Sequence, residues 1–368
     1  MTGPRYDTIV IGAGVIGLAI AWRAAQRGLT VAIADPQPGA GATHAAAGML
    51  GPVSEAAYAE QDLLALGLSA RARYPSFAAE LTELTGLPTG FTQTGTLQVA
   101  YDADDLAVLH RLHDLQVSHG VEALRVTARQ ARALEPMLAP SVRGGLHVPG
   151  DGSVDPRTLT RALLGAAAQA GVILHRQRVA EVALAGGRAT GVTLADGSAL
   201  ASRAVVLAAG WQSGGIGGVP AGVLPPVRPV KGQILRLRGA SPLLSRPVRG
   251  VVRGSSVYLV PRASGELVVG ATQEELGADT RVTAGGVWEL LRDAREILPG
   301  ITELELAEAI AGLRPGTPDN APVLGPSALP GLVLATGHFR GGILLAPVTA
   351  DLIAELLDTE RLPQAAAR

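Results

Sequence analysis

The spacing of apolar residues predicts an α/β chain that begins with a strand, a helix and a second strand. The apolar run TIVIGAGVIG occupies residues 8–17, a helix-like segment follows, and the run TVAIADP ends at Pro36. Farther along, leucines at spacings of three and four predict a helix within residues 56–85 that ends at Gly86, because glycine commonly follows a helix. Residues 172–210 predict short strands with glycine turns. This order of elements is typical of a Rossmann-like sheet.

The first strand leads into the motif G-x-G-x-x-G, formed by Gly12, Gly14 and Gly17. In a strand-turn-helix unit these glycines allow a tight turn, the approach of a pyrophosphate, and close packing of helix on strand. The N–H groups at the helix start also favour negative phosphates. Asp35 ends the second strand, where a carboxylate accepts hydrogen bonds from adenosine ribose hydroxyls and repels the extra phosphate of NADP. The motif therefore predicts a site for FAD or NAD.

Two further features predict contact with the same ligand. Residues 36–52, PQPGAGATHAAAGMLGP, are almost all small, so their backbone can lie against a flat ring. The runs AVVLAAG at residues 204–210 and GLVLATG at residues 331–337 share one design, an apolar strand that ends in a small residue and glycine. This repeated pattern predicts that both strands lie in one sheet beside one ligand.

Between these two returns, the composition changes to that of a strand-rich insertion. Leu235 and Leu237 alternate with Arg236 and Arg238, which predicts a half-buried strand whose charged face meets solvent. The basic cluster is therefore interpreted as a solvated face and not as a polyanion site. Arg314 precedes a proline, which favours an extended backbone and a side chain held on a stiff segment.

The amino-acid composition argues against several classes of function. The chain has 368 residues, and its 31 Lys and Arg against 32 Asp and Glu give no reason to expect nucleic acid or an anionic membrane as partner. The absence of cysteine excludes disulfides, thiol catalysis and a flavin attached through sulfur. His110, His113 and His119 are interpreted as surface histidines and not as metal ligands. No apolar run reaches the roughly 18 residues that span a bilayer, so a soluble, cytoplasmic protein is expected.

The motifs resemble the D-amino-acid oxidase superfamily, and within it the chain is most similar to the glycine oxidases of thiamine biosynthesis. The matching segments are IGAGVIG, THAAAGMLGP, VRPVKGQ, YLVPRASGELVVGAT, GLRPGTPDNAPVLG and GHFRGGILLAP. AAAGML, GLRPGTPD and FRxGILLAP are far more specific than the glycine motif. Gly341 stands where members of this family often have Asn.

The resemblance implies a non-covalently bound FAD and a substrate site around one arginine. Arg314 would bind the substrate carboxylate, Tyr258 would hydrogen-bond the same group, and Arg340 and Asn320 would lie nearby. Tyr258, Arg314 and Arg340 are the implied catalytic residues. Val179 would lie near the adenine, and residues 338–344 would line the isoalloxazine ring. The implied cofactor contacts are Gly12, Gly14, Val15, Ile16, Gly17, Asp35, Pro36, Ala42, Thr43, Ala47, Gly48, Met49, Val179, His338, Phe339, Arg340, Gly341, Gly342, Ile343 and Leu344.

The resemblance also implies how the chain is divided. A Rossmann-like FAD-binding domain would comprise residues 1–85, 146–225 and 318–368. A discontinuous, strand-rich substrate domain of α+β type would comprise residues 86–145 and 226–317. Relatives suggest a homotetramer.

The implied reaction is oxidative deamination of glycine, and of small amines such as sarcosine or D-alanine, to a 2-oxo acid, ammonia and hydrogen peroxide. Its imine would supply the thiazole of thiamine. Since no histidine or carboxylate stands out as a base, activity is expected to rise toward alkaline pH. The alternatives are a D-amino-acid or sarcosine oxidase or dehydrogenase of the same superfamily, and a non-catalytic flavin-binding module. A nicotinamide-only dehydrogenase is disfavoured, because it has no use for the FRGGILLAP loop.

Overall fold

In the computed structural model, which describes residues 5–359, the chain builds two eight-stranded sheets and one two-stranded sheet. The strands are β1 (Arg5–Ile11), β2 (Val31–Ala34), β3 (Met49–Leu50), β4 (Thr96–Ala100), β5 (Leu124–Thr127), β6 (Gly144–Val148), β7 (Gly152–Ser153), β8 (Ile173–His175), β9 (Val179–Ala185), β10 (Arg188–Leu194), β11 (Ala199–Leu207), β12 (Arg228–Arg238), β13 (Val248–Val252), β14 (Ser255–Pro261), β15 (Glu266–Gly270), β16 (Glu305–Gly316), β17 (Val323–Pro326) and β18 (Leu332–Thr336). The helices are α1 (Val15–Gln26), α2 (Ala42–Ala45), α3 (Gln61–Thr85), α4 (Ala103–Ser118), α5 (Ala128–Leu134), α6 (Pro156–Gln169), α7 (Ala284–Ile297) and α8 (Gly342–Thr359).

The first sheet has the strand order β17-β18-β11-β1-β2-β8, and β10 and β9 extend it from β11. Strand β1 pairs in parallel with both β2 and β11, as a Rossmann-like βαβ unit requires. Strands β11 and β18 are parallel neighbours, with Val205 opposite Leu332. The prediction that the two glycine-ended runs return to one sheet is therefore confirmed.

Helices α1, α3, α6 and α8 pack together in the core on one face of this sheet, and apolar residues of β9 and β10 contribute to the core on its other face. Two of the helix ends follow local capping rules, and the one at Gly86 agrees with the sequence analysis. Helix α3 ends at Gly86, which adopts a left-handed φ of 69°. Helix α6 begins at Asp155, whose carboxylate accepts a hydrogen bond from the backbone N–H of Arg157 at 2.9 Å, with Pro156 in the first turn.

The second sheet has the order β16-β12-β15-β14-β13-β4-β6-β5, and α7 packs on it in a separate apolar core. Long strands β12 and β16 pair antiparallel along almost their whole length, with Val230 opposite Arg314. This places the residues after Arg228 beside the segment GLRPG, although more than eighty residues separate them in sequence. The extended backbone predicted for Arg314 is confirmed by its position within β16.

The prediction of a solvated basic face on β12 is wrong for Arg236 and right for Arg238. Arg236 is only 2% exposed, and its guanidinium pairs with Glu266 at 2.5 Å and with Glu308 at 3.6 Å. Glu308 also binds Arg157 of α6 at 2.7 Å, so the first domain covers this part of the strand face. A charge that is paired on both sides can be buried, which alternation in the sequence does not reveal. Arg238, at the end of β12, is exposed.

The predicted domain division stays a prediction. Its boundary between residues 145 and 146 falls within β6, which belongs to the second sheet. The parts of the predicted FAD-binding domain at residues 1–4 and 360–368 lie outside the described residues. Within residues 5–359, no helix has both the length and the apolar character needed to cross a membrane.

Candidate active site

A cavity of about 750 Å³ lies between the two large sheets. The residues that follow β1, β2 and β11, including Gly12, Asp35 and Ala208, line one end of it. Carboxyl ends of parallel strands meet at one edge of a sheet, and ligands of such folds bind in the crevice outside that edge. Tyr258 and Arg314 of the second sheet line the other end. Residues of both large sheets therefore line this one cavity.

The dinucleotide end is shaped by close backbone contacts. Gly12 has a φ of +102°, and a Cβ atom on it would lie 2.6 Å from the carbonyl oxygen of Ala208. A Cβ atom on Gly17 would lie 1.9 Å from the carbonyl oxygen of Gly12. No residue other than glycine fits either position without a backbone shift. The bare backbone of Gly12 and Gly14 lines the cavity, and Gly17 packs behind them.

Side chains hold this glycine turn in place. The carboxylate of Asp35 accepts hydrogen bonds from the backbone N–H groups of Ala13 and Gln37, both at 2.7 Å. The hydroxyl of Thr43 accepts one from the backbone N–H of Val15 at 3.1 Å. Asp35 therefore fixes the turn as well as lining the cavity. Its predicted contact with a ribose remains a prediction.

The middle of the cavity is a wall of small residues around Ala47 and Gly48. Gly48 has a φ of +77°, and a Cβ atom on it would lie 2.0 Å from the carbonyl oxygen of Val154. Behind the wall, the buried guanidinium of Arg262 donates a hydrogen bond to the carbonyl oxygen of Ala47 at 2.5 Å. Burial lowers the pKa of Arg262 to about 10, so it remains a cation at neutral pH. Sequence reasoning did not single out Arg262.

At the substrate end, Arg314 lies flat over the backbone of β12. A Cβ atom on Gly232 would lie 2.5 Å from both terminal guanidinium nitrogens of Arg314. The Nη1 atom donates to the carbonyl oxygens of Lys231 and Thr272 at 3.4 and 3.3 Å. Among residues 5–359, no carboxylate forms an ion pair with Arg314. This guanidinium faces the cavity as a cation without a counterion.

Tyr258 of β14 stands opposite Gly270 of β15. A Cβ atom on Gly270 would lie 2.4 Å from the phenol oxygen, so the missing side chain leaves space for the ring. Burial raises the pKa of Tyr258, although the guanidinium of Arg314 nearby opposes the shift. The phenol is therefore protonated at neutral pH and can donate a hydrogen bond. Its position beside Arg314 agrees with the pairing implied by the resemblance.

Arg340 and Asn320 also lie close together, because both bind one carboxylate, that of Glu60. The guanidinium of Arg340 pairs with the carboxylate of Glu60, and the amide of Asn320 donates to the same carboxylate at 2.9 Å. Burial opposes ionisation of Glu60, but the hydrogen bonds from Arg340 and Asn320 outweigh it and hold its pKa below the usual value. Arg340 lines the cavity with its charge already balanced.

Glu55 is a second carboxylate at this end of the cavity, and the sequence analysis did not predict it. Glu55 lines the cavity, and its Oε1 atom accepts a hydrogen bond from Arg249 at 2.8 Å. Glu55 lies six residues after Met49, but nothing in the local pattern separates it from an ordinary surface glutamate. Its partner lies on β13, almost two hundred residues away in sequence. Of the three arginines near this end, Arg249 and Arg340 thus have counterions, and Arg314 has none within residues 5–359.

His338 lies where the cavity meets the start of α8. It is 4% exposed, and its Nε2 atom is 3.0 Å from the hydroxyl of Thr349. Burial lowers the pKa of His338 to about 3, so the imidazole is neutral above that pH. The next residue, Phe339, has a positive φ of 47°, which is uncommon outside glycine and marks local backbone strain.

Most of the predicted site residues line this one cavity. Gly17, Asn320, Gly341 and Leu344 do not. Leu344 faces α3 within the core of the first domain, 3.4 Å from the Cβ position of Gly67. The predicted site residues that line the cavity are Gly12, Gly14, Val15, Ile16, Asp35, Pro36, Ala42, Thr43, Ala47, Gly48, Met49, Val179, Tyr258, Arg314, His338, Phe339, Arg340, Gly342 and Ile343. Their contacts with FAD or substrate stay predictions.

The chemistry of the cavity lining fits FAD. The glycine turn offers a surface that any side chain would block, the helix start at Val15 suits phosphates, and the small-residue wall suits a flat ring. Residues 5–359 hold no group of three or more His, Asp or Glu side chains arranged for a metal ion.

Comparison with known proteins agrees with this site. The family model described as "FAD dependent oxidoreductase" matches residues 7–356. The chain is 37% identical to a protein named "Glycine oxidase" from Geobacillus kaustophilus (strain HTA426), over 96% of this chain and 93% of that protein. It is 36% identical to a "Bifunctional protein ThiO/ThiG" from Nostoc sp. (strain PCC 7120), over 95% of this chain and 52% of that protein. The crystal structure of glycine oxidase from Geobacillus kaustophilus superimposes with a TM-score of 0.89 and 36% identity, covering 97% of this chain and 95% of that one.

Proposed function

The chain belongs to the family of FAD dependent oxidoreductases, and from this premise we propose that it is a glycine oxidase. The proposed reaction removes two electrons and two protons from glycine to give its imine, and water hydrolyses the imine to glyoxylate and ammonia. Dioxygen takes up the two electrons and two protons and becomes hydrogen peroxide. Bound FAD supplies the chemistry that carries the electrons from the amine to dioxygen.

The uncompensated charge of Arg314 is the observation that carries this proposal. Glycine has five heavy atoms, which at about −1.5 kcal/mol per atom bind with no more than roughly −7.5 kcal/mol, so its carboxylate must supply most of the affinity. A planar guanidinium matches a carboxylate with two parallel hydrogen bonds. At the substrate end of the cavity, Arg314 is a cation that has no counterion among the described residues, whereas Glu60 balances Arg340.

The neighbours of Arg314 favour binding and orientation over acid–base chemistry. The phenol of Tyr258 donates a second hydrogen bond to the carboxylate, and its raised pKa keeps it protonated. The imidazole of His338 has a pKa of about 3 and already contacts Thr349, so it is not a base that titrates near neutral pH. We therefore propose that glycine reacts as the neutral amine and that activity rises toward alkaline pH.

Arg340 and Asn320 remain proposed contacts at the edge of the substrate space. Both side chains bind the carboxylate of Glu60. Direct binding of substrate would therefore require each of them to contact the substrate and Glu60 at the same time. Sarcosine and D-alanine remain the alternative substrates, because each adds one methyl group, and a pocket distinguishes one methyl group by only about 1 to 3 kcal/mol.

Three further features belong to the same proposal. The relative named ThiO/ThiG supports a link to thiazole formation in thiamine biosynthesis, in which the imine would pass to a second enzyme. A homotetramer is proposed by resemblance, and a cytoplasmic location from the absence of a long apolar run. Size-exclusion chromatography with light scattering measures the assembly directly.

An oxygen electrode tests the proposed function. The purified, FAD-loaded protein should consume dioxygen on addition of glycine, with one hydrogen peroxide and one glyoxylate formed per dioxygen. If glycine reduces the flavin without consumption of dioxygen, the protein is a dehydrogenase with another electron acceptor. If sarcosine or a D-amino acid gives a higher kcat/KM than glycine, the substrate assignment moves to that amine.

A further inference from the structure

We propose that Glu274 is a positioning residue that holds Arg314 in the geometry for a carboxylate. This inference rests on the proposed function, because it concerns the group that would bind the substrate. Among the described residues, the guanidinium of Arg314 donates to the carbonyl oxygens of Lys231 and Thr272, at 3.4 and 3.3 Å, and lies beside the phenol of Tyr258. Hydrogen bonds of this length constrain the guanidinium weakly. The position of the guanidinium therefore depends on the groups that hold the carbonyl groups of Lys231 and Thr272 in place.

The side chain of Glu274 fixes both segments. Its Oε1 atom accepts hydrogen bonds from the hydroxyl of Thr272 at 2.6 Å and from the amide of Gln233 at 2.8 Å. Its Oε2 atom pairs with the ammonium of Lys231 at 3.3 Å. Burial opposes ionisation of Glu274, but the hydrogen bonds from Thr272 and Gln233 and the positive charge of Lys231 outweigh it and hold its pKa below the usual value.

The backbone adds a second connection between the same residues. Lys231 and Glu274 exchange two backbone hydrogen bonds, at 2.9 and 3.0 Å. The hydroxyl of Thr272 also accepts a hydrogen bond from the backbone N–H of Gln233 at 2.8 Å. The amide of Gln233 is held in turn by Thr283, at the start of α7. Glu274 thus joins β12 directly to the segment after β15, and it reaches the start of α7 through Gln233.

The charges in this network leave Arg314 available. Lys231 is 0% exposed and lies close to Glu274 and, at 3.7 Å, to Asp279. The negative charge of Glu274 is therefore balanced by Lys231, so Glu274 positions Arg314 without neutralising it. This arrangement differs from that of Arg340, whose own guanidinium is paired with a carboxylate.

The test compares Glu274→Gln with Glu275→Gln in the FAD-loaded protein. Glu275 is the adjacent residue and pairs with Arg228 at 3.2 Å on the surface, so it is the matched control. Acetate, a carboxylate without an amine, is titrated while the flavin spectrum is followed, and kcat and KM for glycine are measured. Since a small misplacement of a binding group has large effects, Glu274→Gln should raise the Kd of acetate and the KM of glycine on the order of 10-fold. The value of kcat should change little, and Glu275→Gln should match the unmodified protein.

Thr272 provides a second test that leaves the charge of Lys231 balanced. Thr272→Val removes the hydroxyl that Glu274 holds, and it should weaken acetate binding, whereas Thr272→Ser should restore it. A purely structural role would lower the Tm of Glu274→Gln and Thr272→Val and leave the Kd of acetate unchanged, which would overturn the proposal. If Glu274→Gln fails to bind FAD, the Kd of acetate for Thr272→Val and Thr272→Ser tests the proposal by the same criterion.

Arg314→Ala separates this inference from the proposed function. If the variant loses acetate binding but the unmodified protein does not oxidise glycine, the proposed function fails and Glu274 is still tested by the acetate titration. If acetate binds equally well to Arg314→Ala and to the unmodified protein, Arg314 is not a carboxylate site, and the inference is overturned.

Discussion

The two ends of the cavity are built on different principles. The dinucleotide end consists mainly of backbone, with Gly12 and Gly14 leaving a surface that a side chain would block. The substrate end consists of side chains with charge, in which Arg314 is unpaired while Arg340 is balanced by Glu60. The first end comes from short contiguous segments, and the second from strands far apart in sequence.

This difference predicts different kinds of failure. A change at the dinucleotide end alters the shape of the backbone and should abolish cofactor binding altogether. A change at the substrate end alters an interaction with a small anion and should leave a yellow protein with weaker binding. The predictions that follow are arranged from the largest expected effect to the smallest.

Substitution of Gly12 by alanine should have the largest effect. The new Cβ atom would lie 2.6 Å from the carbonyl oxygen of Ala208, and the φ of +102° is strained for any other residue. Gly12→Ala should therefore purify without FAD, as absorbance at visible wavelengths measures. Gly285→Ala is the control, since no atom lies within 4 Å of the added Cβ. A yellow Gly12→Ala protein with normal FAD content would contradict the claim that the backbone shape at Gly12 is required for cofactor binding.

Arg314→Ala should keep FAD and lose substrate affinity. Removal of one partner from a buried, hydrogen-bonded charge pair costs about 2 to 5 kcal/mol, which is roughly 30-fold to several thousand-fold in affinity. The KM of glycine, measured with FAD content in the same samples, tests this. Arg238→Ala is the control, because Arg238 lies exposed at the end of β12. An unchanged KM in Arg314→Ala would reject the assignment of Arg314.

Tyr258→Phe should have a smaller effect of the same kind. It removes one hydrogen bond to a charged group, worth about 1.5 kcal/mol, so kcat/KM for glycine should fall roughly 10-fold. The phenyl ring still fits over Gly270. Loss of FAD from this variant would show that Tyr258 has a structural role instead.

His338→Gln should show its effect only in acid. Above pH 6.5, the histidine is neutral in both folded and unfolded chains and contributes no pH dependence to stability. Below pH 6.5, the unfolded chain binds a proton that the folded chain refuses until about pH 3, so stability falls across this window. The free energy of unfolding in urea should drop less between pH 7 and pH 5 in His338→Gln than in the unmodified protein. An equal drop in both would show that His338 does not titrate in this way.

The dinucleotide end could be predicted because its determinants are local. Gly12, Gly14 and Gly17 lie within six residues of one another, and their spacing follows from the geometry of one strand-turn-helix unit. The return of β11 and β18 to one sheet could also be predicted, because each strand ends in the same local pattern. In both cases, neighbouring residues in sequence suffice to describe the structure.

The charge arrangement of the substrate end could not be predicted from local pattern. Glu60 binds Arg340 across 280 residues of sequence, and Glu55 binds Arg249 across 194. Arg236 looked solvated for the same reason, since its partners Glu266 and Glu308 lie on other strands. Whether a charge is free or balanced depends on the three-dimensional fold, and that property distinguishes Arg314 from Arg249 and Arg340.

Anaerobic reduction of the FAD-loaded protein by glycine tests the central claim most directly. The flavin absorbance of the unmodified protein should bleach on addition of glycine, and Arg314→Ala should need far higher glycine concentrations for the same bleaching. A colourless protein that takes up no FAD, or equal bleaching of both proteins at equal glycine concentrations, would contradict the account.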